Sequence, residues 1–211
     1  MPNRPLALLR RPLQYAYRSF LYRHPVRLAD ADLLRRMTAR LSPSPPRQLS
    51  AEETAIVAAI RRKTAEHNRN NVTRTAAYLA FFERHSEIHW AFLAHLVSRN
   101  GGWNMTDLRG GLLPFLLPKE TAAPLFLFLE RANALIFHDA YPQLLLYEES
   151  KRQGTPLFHL LPSLSVSRFM KAFWEHFWET GDAALLTVAL IINEQQYIQL
   201  DRKSTRLNSS H

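Results

Sequence analysis

Apolar residues in this chain recur every three or four positions, and strict alternation is scarce. That spacing marks helices with one face turned to a core. Only six glycines occur in 211 residues. The pattern predicts an all-α, multi-helix bundle. Ser50 and Glu53 fit a capping box, in which each side chain satisfies the other's free backbone N–H. A helix is predicted from there to about Asn68. The run NRNN (68–71) interrupts it, and a second helix follows Thr73 through AAYLAFF. Ser86 is read as the cap of a third, 87–99, ended by Gly101. Thr106 is read as the cap of a short helix before RGGLLPFLLP. Residues 119–141 and 143–153 form a pair split at a proline and stopped by Gly154. Ser165 or Ser167 starts a helix to about Thr180, Gly181 ends it, and Asp182 caps the last one.

The most apolar runs are APLFLFL (123–129) and ALLTVALII (184–192). Neither approaches the roughly 18 residues needed to cross a bilayer. Both are predicted to be buried core helices. Residues 1–49 differ in kind, a basic N-terminal segment with short helices. Leu9, Leu13, Tyr17 and Phe20 fall at helical spacing, 26–41 can form a short helix, and SPSPP (42–46) is the linker candidate. The helical domain is assigned to 50–200.

Charge sharpens that division. The net +9 is uneven: +8 in residues 1–50, +2 in 51–100, −3 in 101–150, zero in 151–200 and +2 in the last eleven. The basic character belongs to the N-terminal segment, so nucleic-acid binding is not favoured. It would require those arginines to share one ordered face. Residues 1–25 could instead lie on an anionic membrane surface, with Leu9, Leu13 and Tyr17 toward the lipid, or form a solvated arm. There is no cysteine, which excludes disulfides, thiolate metal sites and a cysteine nucleophile. No secretory signal is found, so the expected location is the cytoplasm, or the inner face of the membrane if residues 1–25 bind lipid.

The densest candidate chemistry lies in residues 71–111. The helix predicted over 87–99 is apolar in nearly every direction, which predicts a buried helix. Polar groups are embedded in it: His89 beside Asn100, and His95 beside Arg99, with Asn104 and Asp107 following. A buried guanidinium needs an acid, and Asp107, Glu130 and Asp139 are the candidates. Two readings stand, a polar functional site and a hydrogen-bonded network that fixes helix packing.

No metal is implied. Neither Glu-x-x-His nor HExxH spacing occurs, and the His138–Asp139 dipeptide is only weakly similar to metal-dependent phosphohydrolases. No cofactor fingerprint occurs either. Arg69 and Arg74 in EHNRNNVTRT could bind an anion at a helix start, although such Asn and Thr residues commonly make caps and turns. The set Phe169, Phe173, Phe177, Trp174 and Trp178 reads as core packing.

The segments NVTRT, EIHWAFLAH and VSRNGGWNMTDL resemble the YppC-like bacterial family, domain of unknown function 2515. The resemblance covers about forty residues closely and extends over the chain from Ser50. It implies a helical protein of bacterial, Firmicute, type and transfers no activity, cofactor or site residue. The final DRKSTRLNSSH (201–211) is identical, codon by codon, to a translated short-read sequencing adapter. The natural sequence is therefore expected to stop near Leu200, leaving a C-terminally truncated fragment with charge +7 (the +9 of the whole chain less the tail's +2). The tail is expected to pack against nothing, and the last helix to show an uncovered apolar face. The functional expectation is a non-catalytic structural or interaction protein, peripheral to a membrane through its basic N-terminus. The alternative is an enzyme of unknown class built around His89, Arg99 and Asp107.

Overall fold

A computed structural model of the chain describes residues 48–111 and 113–208, with side chains at 48–111, 115–118 and 120–199. The expectations for the N-terminal helices, the SPSPP linker and the packing of the tail lie outside those residues. Everything described is helix and connecting turn. The helices are α1 (Ala51–His67), α2 (Asn71–Arg84), α3 (His89–Arg109), α4 (Leu113–Leu116), α5 (Lys119–Gln153), α6 (Arg168–Thr180) and α7 (Ala183–Asn208), with a 3-10 segment at Phe158–Leu164.

Local chemistry explains most boundaries. Ser50 Oγ accepts from Glu53 N at 3.1 Å and Ser50 N donates to Glu53 Oε2 at 2.8 Å, the expected capping box. Asn70 and Thr73 repeat the device at α2. That starts α2 two residues earlier than the sequence suggested. Gly154 and Gly181 end α5 and α6 with φ of 69° and 70°, a left-handed turn that costs glycine no Cβ clash. Asp182 Oδ1 accepts from Leu185 N at 2.9 Å.

Three boundaries differ from expectation. Ser86 lies in a turn, and α3 begins at His89 without a side-chain cap. Gly101 does not stop α3, which runs on to Arg109, and Thr106 is interior, its hydroxyl bonded to Gly102 O. The predicted pair 119–141 and 143–153 is one helix with Pro124 and Pro142 inside it. Pro142 has no N–H to give the carbonyl of His138. The helix survives because its flanks are locked in the core by Phe137, Tyr141, Leu144 and Leu146.

α5 is the axis. It packs against α1, α2, α3, α7 and the 3-10 segment. α2 and α3 form a close antiparallel pair, and α6 closes the other side against α7. The core joins Phe81, Ile88, Trp90, Phe137, Tyr141, Leu144, Phe158, Trp174 and Leu190. Trp174 of α6 stacks on Tyr147 and Phe158 at centroid distances of 5.5 and 5.6 Å. The α6 aromatics are thus core, as their spacing predicts.

The apolar runs divide. In 184–192, Leu185, Leu186, Ala189 and Leu190 are buried as expected. In 123–129, by contrast, Leu125, Leu127 and Phe128 are exposed. Their side of α5 is left uncovered, while Ala122 is buried and Arg109 of α3 lies over Phe126 on the other side. The uncovered apolar face expected on α7 is not there. Among its described side chains Ile192 is the one exposed large hydrophobic, because the others turn toward α3, α5 and α6.

A Cβ built at Gly102 would run into Asn71 Nδ2, whereas Gly111 has open space. Gly102→Ala is expected to destabilise by about 1–2 kcal/mol despite the better helix propensity of alanine. Gly111→Ala should stay within about 0.5 kcal/mol. Urea denaturation of the two variants checks the contrast.

Candidate functional site

Only one of the six candidate residues on α3 faces inward. His95 is buried and its Nδ1 lies 3.0 Å from Thr75 O. A carbonyl can only accept, so Nδ1 carries the proton there. His89, Arg99, Asn100, Asn104 and Asp107 all sit on the exposed face. Helix α3 is therefore amphipathic, not buried all round. Apolar side chains share its outer face: Phe92, Leu96, Val97 and Trp103 are exposed. Arg99 lies over the Trp103 ring at 4.9 Å, not in the core. Exposed apolar residues made the outer face read as interior.

The polar groups that do converge come from three helices and the turn after α1. Arg74 of α2 is 1% exposed and its Nη2 lies 2.5 Å from Glu130 Oε1 of α5. Its Nη1 donates to Asn68 Oδ1 at 3.1 Å, and Asn68 Nδ2 donates to Ala134 O at 3.1 Å. One turn away, Asn71 Nδ2 donates to Ser98 O at 2.9 Å. Asn71 Oδ1 accepts from Ser98 Oγ and Asn133 Nδ2, each at 3.2 Å. Thr75 Oγ1 and Ser98 Oγ lie 2.7 Å apart. Gly101 and Gly102 let this knot form: a Cβ on Gly101 would press on Asn133 and one on Gly102 on Asn71.

This changes two expectations. The carboxylate that answers a buried guanidinium is Glu130, as one candidate, but the guanidinium is that of Arg74 rather than Arg99. Arg74 is also not open to an external anion, since Glu130 and Asn68 occupy it. Arg69 stays exposed.

A second cluster joins α5 to α7. Asp139 Oδ2 accepts from Gln143 Nε2 at 2.9 Å and from Asn193 Nδ2 at 2.5 Å. Gln143 Oε1 in turn accepts from Trp174 Nε1 at 2.8 Å. Burial pushes Asp139 up to about 6, against the pull of the Asn193 and Gln143 amides. Glu194 stands on the next α7 position, with Oε1 sealed from solvent and without a partner. Burial, then the charge of Asp139, push it up to about 8, partly offset by the Trp90 N–H. The Tyr78 hydroxyl, also buried and unpartnered, is driven well above its usual range by burial and then by Glu194. Two carboxyls in one dry space cannot readily both ionise.

Sequence reasoning missed this cluster because Asp139 and Asn193 are 54 residues apart, across a pairing no local pattern reveals. His138 is exposed while Asp139 is buried, so the dipeptide does not form one site. Among the described residues no group of three or more His, Cys, Asp or Glu could hold a metal ion. A groove of about 460 Å³ opens between α1 and α5, floored by Ile56, Ala59, Ile60 and Leu145. Neither polar cluster lines it.

Losing Glu130 strands a fully buried cation, whereas losing Arg74 leaves a carboxylate that can hydrate. Glu130→Met is therefore expected to cost about 3–5 kcal/mol and Arg74→Met measurably less. Chemical denaturation of both variants gives the order. The acid pair makes a prediction in pH. Both carboxyls keep their proton to higher pH folded than unfolded, where they titrate near 4. Between about pH 4 and their folded values of about 6 and 8, the folded chain binds more protons. Stability contributed by these groups therefore falls as pH rises through that window. Glu87 acts oppositely and only in acid. Burial raises it, but Lys151, its own backbone N–H and Tyr147 outweigh that and hold it at about 2. The melting temperature should drop from pH 6 to pH 8.5, and Glu194→Gln should reduce that drop. An equal drop in both chains would contradict the assignment.

Comparison with known proteins gives a family and adds no activity. The uncharacterised protein YppC of Bacillus subtilis (strain 168) is 53% identical over 144 residues, 68% of this chain. The chain spans 45% of that relative's length. No solved structure matches. The family described as "Protein of unknown function (DUF2515)" matches residues 66–210, a range that includes both polar clusters. The chain belongs to the DUF2515 family.

Proposed function

We propose that this chain is a non-catalytic structural or interaction protein that works at the surface of an anionic membrane. One observation supports the non-catalytic part: the polar groups that converge around Arg74 are held in bonds between elements. Asn71, Ser98 and Asn133 bond to one another, and Arg74 bonds to Asn68 and Glu130. Acid–base or nucleophilic chemistry needs a group aimed at a space where a substrate can sit. The groups that do face outward, His89, Arg99, Asn104 and Asp107, share their face with Phe92, Leu96 and Trp103. The membrane part rests on charge. Residues 1–50 carry +8 while residues 51–200 sum to −1 (+2, −3 and 0). Among the described residues, no helix is long and apolar enough to cross a bilayer, so the association is peripheral.

A second reading has its own observation. Paired carboxyls with raised values mark many acid–base sites, and Asp139 and Glu194 are such a pair. That enzyme would use these two residues rather than His89, Arg99 and Asp107. Asp139→Asn or Glu194→Gln would then abolish a cellular phenotype while leaving the melting temperature at pH 6 nearly unchanged.

The test of the first reading is co-sedimentation of the full chain with vesicles. Binding to phosphatidylglycerol-containing vesicles at low salt is expected, with little binding to phosphatidylcholine alone. Equal, negligible binding to both would overturn it.

A further inference from the structure

We propose that the outer face of α3 is a self-association surface, on which a second copy of this chain docks antiparallel about a two-fold axis at Trp103. Phe92, Leu96, Arg99, Trp103 and Asp107 follow one another at spacings of three or four, and all five are exposed. They therefore form one stripe along the helix. Helix α4 packs against α3 and carries Phe115 and Leu116, 87% and 72% exposed. At about 150–250 Å² per aromatic side chain, the exposed parts of Phe92, Trp103 and Phe115 alone reach a few hundred Å². Single exposed apolar side chains are ordinary, but a run of them on adjoining elements marks an interaction surface. Leu96, Val97 and Leu116 extend it toward the roughly 800 Å² that one partner gives to a stable interface.

Charge selects the occupant. Arg99 and Asp107 lie four residues before and four residues after Trp103, so each stands about 6 Å from it along the helix axis. Arg99 lies over the Trp103 ring at 4.9 Å. Among the described residues, neither Arg99 nor Asp107 has an ion-pair partner. The stripe is therefore antisymmetric in charge about its central aromatic ring. An antiparallel copy centred on Trp103 sets each Arg99 level with Asp107 of the partner subunit and brings the two indole rings together. Both charges are answered at once, and no like charges meet. A parallel copy would oppose Arg99 to Arg99, and an anionic surface would answer Arg99 but repel Asp107. The same pairing directs Phe92 and Leu96 toward the end of the other α3, where α4 follows. Such a closed, self-complementary contact is the commonest form among homo-oligomers. Composition agrees. Helix α3 has no lysine and no glutamate, which interfaces avoid, and its outer face carries the Trp and Arg that they favour.

Sedimentation equilibrium of the full chain, from about 1 to 200 µM in 0.15 M NaCl, measures the association. A reversible dimer is expected. Arg99→Glu and Asp107→Arg should each weaken it at least tenfold, because each opposes like charges at both ends of the stripe. An equimolar mixture of these two variants should dimerise about as tightly as the unaltered chain, since every facing pair is then an arginine against an acid. That rescue is particular to the antiparallel register. Trp103→Ala, at the centre, should also weaken the dimer at least tenfold. All three side chains are exposed, so the helical circular dichroism should be unchanged. If a charge variant unfolds, Trp103→Ala carries the comparison. A chain that stays monomeric throughout would overturn the proposal. So would a dimer that all three variants leave intact, or two charge variants whose mixture fails to associate. Vesicle binding that Trp103→Ala abolishes, with no dimer, would reassign the face to lipid and overturn it as well.

Discussion

The guanidinium of Arg74 is held almost wholly out of water, and its requirements organise four helices. A buried cation must meet an anion and fill its remaining donors. Glu130 of α5 supplies the first and Asn68, just past the end of α1, part of the second. Asn68 then has to reach the backbone of α5, which it does at Ala134. This seats the α1–α2 turn on α5. Asn71 extends the same constraint to α3, and it can reach Ser98 and Asn133 only because Gly102 has no Cβ in the way. Two glycines inside a 21-residue helix weaken its intrinsic propensity. The interhelical bonds they permit compensate for that loss. Helix α3 therefore owes its length to packing and not to its own sequence preference.

The α5–α7 interface follows a different logic. The first network is ionic, while the second keeps a proton on one of its carboxyls. Glu194 near 8 is largely protonated at neutral pH, and Asp139 near 6 is mostly ionised and satisfied by two amides. Gln143 ties that carboxylate to Trp174, so α6 is joined to the same set of bonds. The docking of α7 is thus coupled to protonation, and that of α2 against α5 to charge pairing.

What could be read from the linear chain follows from the range of each interaction. Caps and stops act over three or four residues, so Ser50, Gly154, Ser167, Gly181 and Asp182 were legible. The continuity of α5 through Pro142 was not, since a proline's local penalty is visible in sequence and the core that overcomes it is not. The outward face of α3 misled for a related reason. Phe92, Leu96 and Trp103 look like core residues, and only the position of neighbouring helices shows that nothing covers them. Of the candidate site, His95, Arg74 and Glu130 were named, but the pairing of Arg74 with Glu130 spans 56 positions. Asn71, Ser98 and Asn133 carry no individual signal, being residues that usually make turns and caps.

These observations meet at Glu130. Helix α5 lives in two environments: between Phe137 and Tyr147 most of its side chains are buried, whereas Leu125, Leu127 and Phe128 are exposed. Glu130 stands between the two halves and is gripped there by Arg74. A helix whose packing thins toward one end gains from an anchor where the thinning begins, because fewer contacts there resist fraying. The Arg74–Glu130 pair, with Asn68 on Ala134 one turn further, supplies that anchor. The first polar network therefore ties α5 to the α1–α2 turn, to α2 and, through Asn71 and Ser98, to α3, so that one buried cation sets where the exposed and the enclosed parts of the longest helix divide.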